Sequence, residues 1–142
     1  MDIKELRVGN IVRLKDHFVG GNAMVTGIMK DRITAVNSVG TNIGTINIMY
    51  VEPIPITEQL LLKIGFEKNS FGWWRLDKRN DKFMIKGYSQ ISTFEYWNEV
   101  HNPEDVTETN YGSTIELPYK IHLHTLQNIW YLLTGKELEI EL

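Results

Sequence analysis

Through the first fifty residues, hydrophobic and polar positions alternate in short runs broken by glycine. Asn10-Ile11-Val12-Arg13-Leu14-Lys15 follows a Val8-Gly9-Asn10 turn signal, placing Ile11, Arg13 and Lys15 on one face and Val12 and Leu14 on the other. Gly20-Gly21-Asn22 marks a turn into Met24-Val25-Thr26-Gly27-Ile28-Met29, where Gly27 predicts a bulge or sharp bend. Lys30-Asp31-Arg32 turns into Ile33-Thr34-Ala35-Val36, and the glycines at 40 and 44 break the chain before Thr45 to Val51. Strands recurring about every ten residues, with little helix signal, predict a small sheet or an SH3-like barrel over residues 1–53.

Pro53 and Pro55 end that unit, because proline removes ladder donors and fixes the local chain. Thr57 is a suitable N-cap for a helix over 58–64, with Gly65 as its stop. Phe66-Glu67-Lys68, Trp73 to Leu76 and Lys82 to Lys86 then read as an antiparallel meander, with Ile91 to Trp97 as a further strand. His101 to Gly112, rich in Asn, Asp, Glu, Thr and Pro, reads as a long polar loop, followed by strand candidates at Ser113 to Leu117 and Tyr119 to His122. Leu126, Ile129, Trp130 and Leu133 form one apolar stripe, with Leu123 a turn earlier and Gly135 behind, which predicts a helix over 123–134. Glu137 to Leu142 alternates charged and apolar residues, which predicts a short final strand. The expected fold is α+β and mostly antiparallel: a barrel-like unit over 1–53, then a sheet carrying two helices over 54–142. Pro53 to Pro55 is too short for a free linker, so the halves are expected to pack as one body.

Composition narrows the chemistry. The 142 residues are 42% hydrophobic and 23% charged, which is globular, and long enough for one domain with a small second unit. There are no cysteines, which excludes disulfides, thiolate metal sites and a cysteine nucleophile. Leu60 to Leu62 and Ile129 to Leu133, the longest apolar stretches, fall far short of the ~20 residues that cross a bilayer. Met1-Asp2-Ile3-Lys4-Glu5 alternates charges without an apolar run, so no secretory signal is expected, and the chain is read as cytoplasmic with no membrane partner. A net charge of -3 conceals an asymmetry: residues 1–86 carry 13 Lys/Arg against 9 Asp/Glu, while 87–142 carry 2 against 9. One face steering a charged partner would produce this, as would two ends attracting each other, and the second reading is the simpler.

Two separated blocks carry a resemblance. Val51-Glu52-Pro53-Ile54-Pro55-Ile56-Thr57-Glu58-Gln59-Leu60-Leu61-Leu62-Lys63-Ile64-Gly65-Phe66-Glu67-Lys68 is one, and His124-Thr125-Leu126-Gln127-Asn128-Ile129-Trp130-Tyr131-Leu132-Leu133-Thr134-Gly135-Lys136-Glu137-Leu138 is the other. With the Leu6 to Val12 opening, the chain resembles a family of small uncharacterised proteins from gut anaerobic bacteria, their phages and integrated mobile elements. The resemblance implies a phage or mobile-element setting and no particular activity. It spans almost the whole chain but matches the segment Asn69 to Gly112 only loosely, so it implies no site there.

Four constellations are candidates for chemistry. His122 and His124 would share a face on a strand but sit about 200° apart on a helix, and they fall at a junction of the two. A third ligand would have to be His101, His17 or a carboxylate, and no spacing selects one, so His124 is read as capping or packing at the helix start. No metal or other cofactor is expected. Trp73, Trp74 and Arg75, with Lys78, Arg79, Lys82 and Lys86 close by, combine aromatics and cations as single-strand nucleic-acid sites do. On a strand, however, the two tryptophans point to opposite faces, so one is expected inside. For catalysis there is no G-x-S-x-G, P-loop, H-E-x-x-H or G-x-G-x-x-G, and Glu95/Glu99 and Glu104/Glu108 read as solvated pairs, so no enzyme is expected. Finally, fifteen aromatics point equally to a protein interface or to an aromatic-rich core of thin sheets, and Glu104, Asp105, Glu108 and Tyr111 would give the polar loop a contact surface for a basic partner. The expected function is therefore non-catalytic binding of a protein, with single-stranded nucleic acid as the alternative ligand.

Overall fold

The computed structural model describes residues 1–142 except 16–20, 79–80, 89–91, 101–108 and 142, and for 98–100 and 109–112 it describes the backbone only. Among the described residues the fold is α+β: two helices and two open, five-stranded antiparallel sheets. The chain divides into two units. The first comprises Met1–Ile56 with His122–Leu142, and the second is Thr57–Ile121.

The first unit holds β1 (Ile11–Leu14), β2 (Gly21–Ile28), β3 (Arg32–Asn37), β4 (Asn42–Asn47) and β5 (Val51–Glu52), in the order β4-β3-β2-β1-β5. Alternation decides its core: Val12 and Leu14 of β1 join Ala23, Val25, Ile33, Ala35 and Ile46 with side chains from one face of each strand. The sheet stays open, not closed into a barrel, because β5 is two residues long and pairs only with β1 before Pro53 stops it. Gly27 does lie at a bulge: the register of β2 on β3 shifts between Val25 and Gly27. A Cβ at Gly27 would stand 2.6 Å from Thr34 Oγ1, so no larger residue fits without moving Thr34.

Helix α2 (Leu123–Thr134) completes this unit, which corrects the expected boundaries of 1–53 and 54–142. Its apolar stripe is buried at Leu123, Leu126, Ile129 and Trp130, Leu133 is half-buried, and Gly135 stops it at φ 71°. The reason it sits here is polar. Gln127 Oε1 accepts from the Ile11 N–H at 2.8 Å, and its Nε2 donates to the Gly9 carbonyl at 3.1 Å. Asn128 Oδ1 accepts from Asn10 Nδ2 at 2.8 Å, while Asn128 Nδ2 donates to the Glu5 carbonyl at 3.0 Å. Behind the helix, Arg7 makes a two-pronged pair with Glu137 and stacks 4.2 Å from the Tyr131 ring. Residues after Gly135 form no strand among those described, contrary to the alternation there. Instead Glu137 is taken up by Arg7 and Leu138 is buried against the unit.

In the second unit, α1 (Glu58–Ile64) is capped by Thr57, whose hydroxyl accepts from the Leu60 N–H at 3.1 Å, and is stopped by Gly65 at φ 112°. The strands β6 (Glu67–Lys68), β7 (Trp74–Lys78), β8 (Asp81–Gly87), β9 (Ser92–Val100) and β10 (Thr109–Leu117) lie in the order β10-β9-β8-β7-β6. This sheet therefore carries one helix of its own rather than two. Its core is aromatic: Phe66 meets Phe83 edge-on at 6.3 Å, and Phe83 meets Phe94 at 5.7 Å, beside Trp74, Leu76, Ile85, Leu61 and Ile64. The loop expected over His101 to Gly112 is shorter than its composition implied, because Thr109 to Gly112 pair one-to-one with β9. Residues 101–108 of that loop, with Glu104, Asp105 and Glu108, lie outside the described residues. Tyr119 to Ile121 are not a strand, and His122 forms only an isolated bridge to Pro55. No helix among the described residues is long and apolar enough to cross a membrane.

Candidate functional site

The outer face of the second sheet gathers more chemistry-bearing side chains than any other surface described. Trp74 and Leu76 point inward at 4% and 3% exposure, so alternation sends Trp73, Arg75 and Asp77 outward. Register brings further residues onto this face. Asp77 lies opposite Lys82, and Lys82 opposite Trp97; Arg75 lies opposite Met84, and Met84 opposite Glu95. Arg75 donates from Nε to Asp77 Oδ1 at 2.8 Å, and its guanidinium carbon stands 5.8 Å from the Trp97 ring centre. Lys82 reaches Asp77 Oδ2 at 3.5 Å. At the other end of the face Lys86 pairs with Glu95, and its ammonium lies 4.4 Å above the Trp73 ring. Trp73 in turn stacks on Phe71, which is 75% exposed. Met84, in the middle row, is only 8% exposed, so the long side chains around it cover it.

This face has no excess of cations. Arg75, Lys82 and Lys86 are met by Asp77, Glu95 and, from their places opposite Arg75 and Thr93 in the register, Glu67 and Glu116. Beside the face a cleft of about 270 Å³ is lined by Lys68, Trp74, Lys86, Tyr88 and Glu58. Lys68 there is bonded to Glu58 at 3.1 Å and lies 5.7 Å from the Trp74 ring centre.

The candidates named from sequence are thus divided. Trp73 and Arg75 meet on one surface, whereas Trp74 turns into the core and reaches only the cleft beside it. Lys78 is exposed at the end of β7, and Arg79 lies outside the described residues. Tyr111 falls in β10 as a strand position, not a loop position, and its side chain is not described. Lys82 and Lys86 belong to the cations that the sequence sets beside the tryptophans, whereas nothing local brings Trp97 and Met84 to them. The available signal was alternation along 81–87 and 92–100, which needed a register to bring the two strands' outward sets together.

His122 and His124 do share a side, with parallel rings 6.0 Å apart, although α2 begins between them. His124 is 2% exposed, its Nε2 lies 3.4 Å from Glu5 Oε2, and its Nδ1 is buried with no hydrogen-bond partner. Among the described residues no three His, Asp or Glu side chains converge as metal ligands. Burial pushes the His124 imidazole below its ordinary value, and neighbouring His122 adds to the shift, although the Glu5 carboxylate opposes it. The folded chain therefore holds His124 neutral where the unfolded chain would be protonated. That stabilisation is present above an unfolded pKa of about 6.5 and is lost as pH falls below it towards the lower folded value. Urea midpoints should thus fall between neutral and mildly acidic pH in the native protein and fall less in a His124→Gln variant; equal slopes would contradict this. Glu137, held below its ordinary range by its hydrogen bond to Arg7, loses its own contribution only at lower pH.

Comparison with family models, curated proteins and solved structures finds no match to this chain.

Proposed function

We propose that this chain is a cytoplasmic, non-catalytic interaction protein of a phage or mobile element, and that it holds a protein partner on the outer face of the second sheet. The observation that carries this reading is the Arg75–Trp97 stack, set among Trp73, Phe71 and Met84 on a face without an excess of cations. Trp and Arg are the residue types that dominate binding energy at protein interfaces, and here they are preorganised by strand register and ion pairs. A phosphate backbone calls instead for cations in excess, because its affinity comes from releasing counterions. The phage setting is supported by the resemblance alone.

Single-stranded nucleic acid is the second reading, favoured by the exposed Phe71–Trp73 stack beside Lys86. A photo-crosslinking residue at position 97, with Val39 (81% exposed) as control, separates the two readings in cells of a natural host. We expect a discrete protein adduct at 97, absent at 39 and lost with Arg75→Ala. In vitro we expect labelled oligonucleotides to bind weakly and without a steep salt dependence. Tight, salt-steep binding that Trp73→Ala abolishes would replace the first reading with the second.

A further inference from the structure

An open sheet has two edges, and each is a row of unpaired N–H and C=O groups that a foreign strand can extend. Three of the four edges here are guarded. β5 and β6 are two residues long, and β4 is interrupted by a register shift against β3, beside Gly44 at φ 90°. β10 has none of these devices. It runs nine residues in unbroken one-to-one register with β9, and no described residue pairs with its outer side. Between Thr109 and Leu117 it contains no proline, lysine or arginine, and its single charge is Glu116.

We propose that β10 pairs antiparallel with β10 of a second copy of this chain, joining two five-stranded sheets into one of ten across a two-fold axis at Ser113. A two-fold pairing is isologous, so every position must tolerate its mirror position, and β10 satisfies this. Centred on Ser113, the pairing uses all nine residues: 109 opposite 117, 110 opposite 116, 111 opposite 115 and 112 opposite 114. Glu116 then faces Asn110 and not the other Glu116, so no like charges meet. Ile115 and Leu117 are half-buried in the single copy, and an added strand would cover their open flank. This inference does not depend on which ligand the aromatic face takes.

Position 113 supplies the test, because it alone would face itself, and Ser113 is exposed. Sedimentation of the full chain from low micromolar to near-millimolar concentration should show a monomer–dimer equilibrium. Ser113→Lys and Ser113→Glu should each weaken the dimer at least several-fold, and an equal mixture of the two should restore it. A wild-type chain that stays monomeric, variants that dimerise like wild type, or a mixture that stays dissociated would each overturn the proposal. Should either variant fold poorly, Ser113→Cys gives an independent reading. The chain has no other cysteine, so mild oxidation should yield a covalent dimer, and a Thr45→Cys control on β4 should not. Failure to crosslink at 113 would count against the pairing.

Discussion

Trp130→Ala is expected to cost about 3–5 kcal/mol, a large share of the ~5–15 kcal/mol that holds an ordinary domain folded. Trp130 is 2% exposed and lies on the α2 stripe with Leu123, Leu126 and Ile129, at 1%, 0% and 9%. Truncating it removes the largest side chain of the stripe and leaves a cavity that a helix tied to β1 by side-chain hydrogen bonds cannot collapse to fill. Two positions on, Leu132 is 78% exposed, and Leu132→Ala should stay within about 0.5 kcal/mol. Urea unfolding measures both, with a fall in midpoint and an unchanged slope as the expected signature for Trp130→Ala. Equal effects at 130 and 132 would mean that the phase of the helix is wrong.

The same helix shows what was legible in the sequence. Its stripe, its stop at Gly135 and the Thr57 and Gly65 ends of α1 rest on local chemistry, and local chemistry is written in adjacent residues. The strands follow from period-two alternation for the same reason. What could not be read was pairing across long separations. Nothing adjacent to Gln127 says that its amide will meet Ile11 and Gly9, so local pattern alone places α2 with the sheet nearest in sequence and not with the first one. The candidate site shows the same division. The opposed directions of Trp73 and Trp74 follow from alternation, but the meeting of Arg75 with Trp97 depends on β8 lying between their strands in one particular register. The final residues mislead for a different reason. Their alternation is genuine, but the buried Leu138 and the Arg7–Glu137 pair use it without a neighbouring strand.

Gln127→Met should test that long-range tie most directly. The substitution keeps the side chain's length and nearly its volume, so it opens little space. It leaves the Ile11 N–H and the Gly9 carbonyl without the partners they have now, at 2.8 and 3.1 Å, around a side chain only 2% exposed. A buried polar group stripped of its partner costs about 1–3 kcal/mol, so roughly 2–5 kcal/mol is expected for the pair, after some return from burying the thioether. Asn128 would remain bonded to Asn10 and to the Glu5 carbonyl, so the helix should stay docked while β1 loosens at its first residue. Hydrogen exchange separates this from a general loss of stability. The Ile11 amide should exchange far faster than the interior amides of β2 under native conditions, where local opening and global unfolding are distinguishable. Gln127→Glu discriminates further, since it keeps an acceptor for Ile11 but loses the donor to Gly9 and buries a carboxylate, and it should be destabilised most at neutral pH and recover as the acid protonates. A Gln127→Met protein as stable as the native one, with the Ile11 amide still protected, would show that these two hydrogen bonds do not fix α2 to the first sheet.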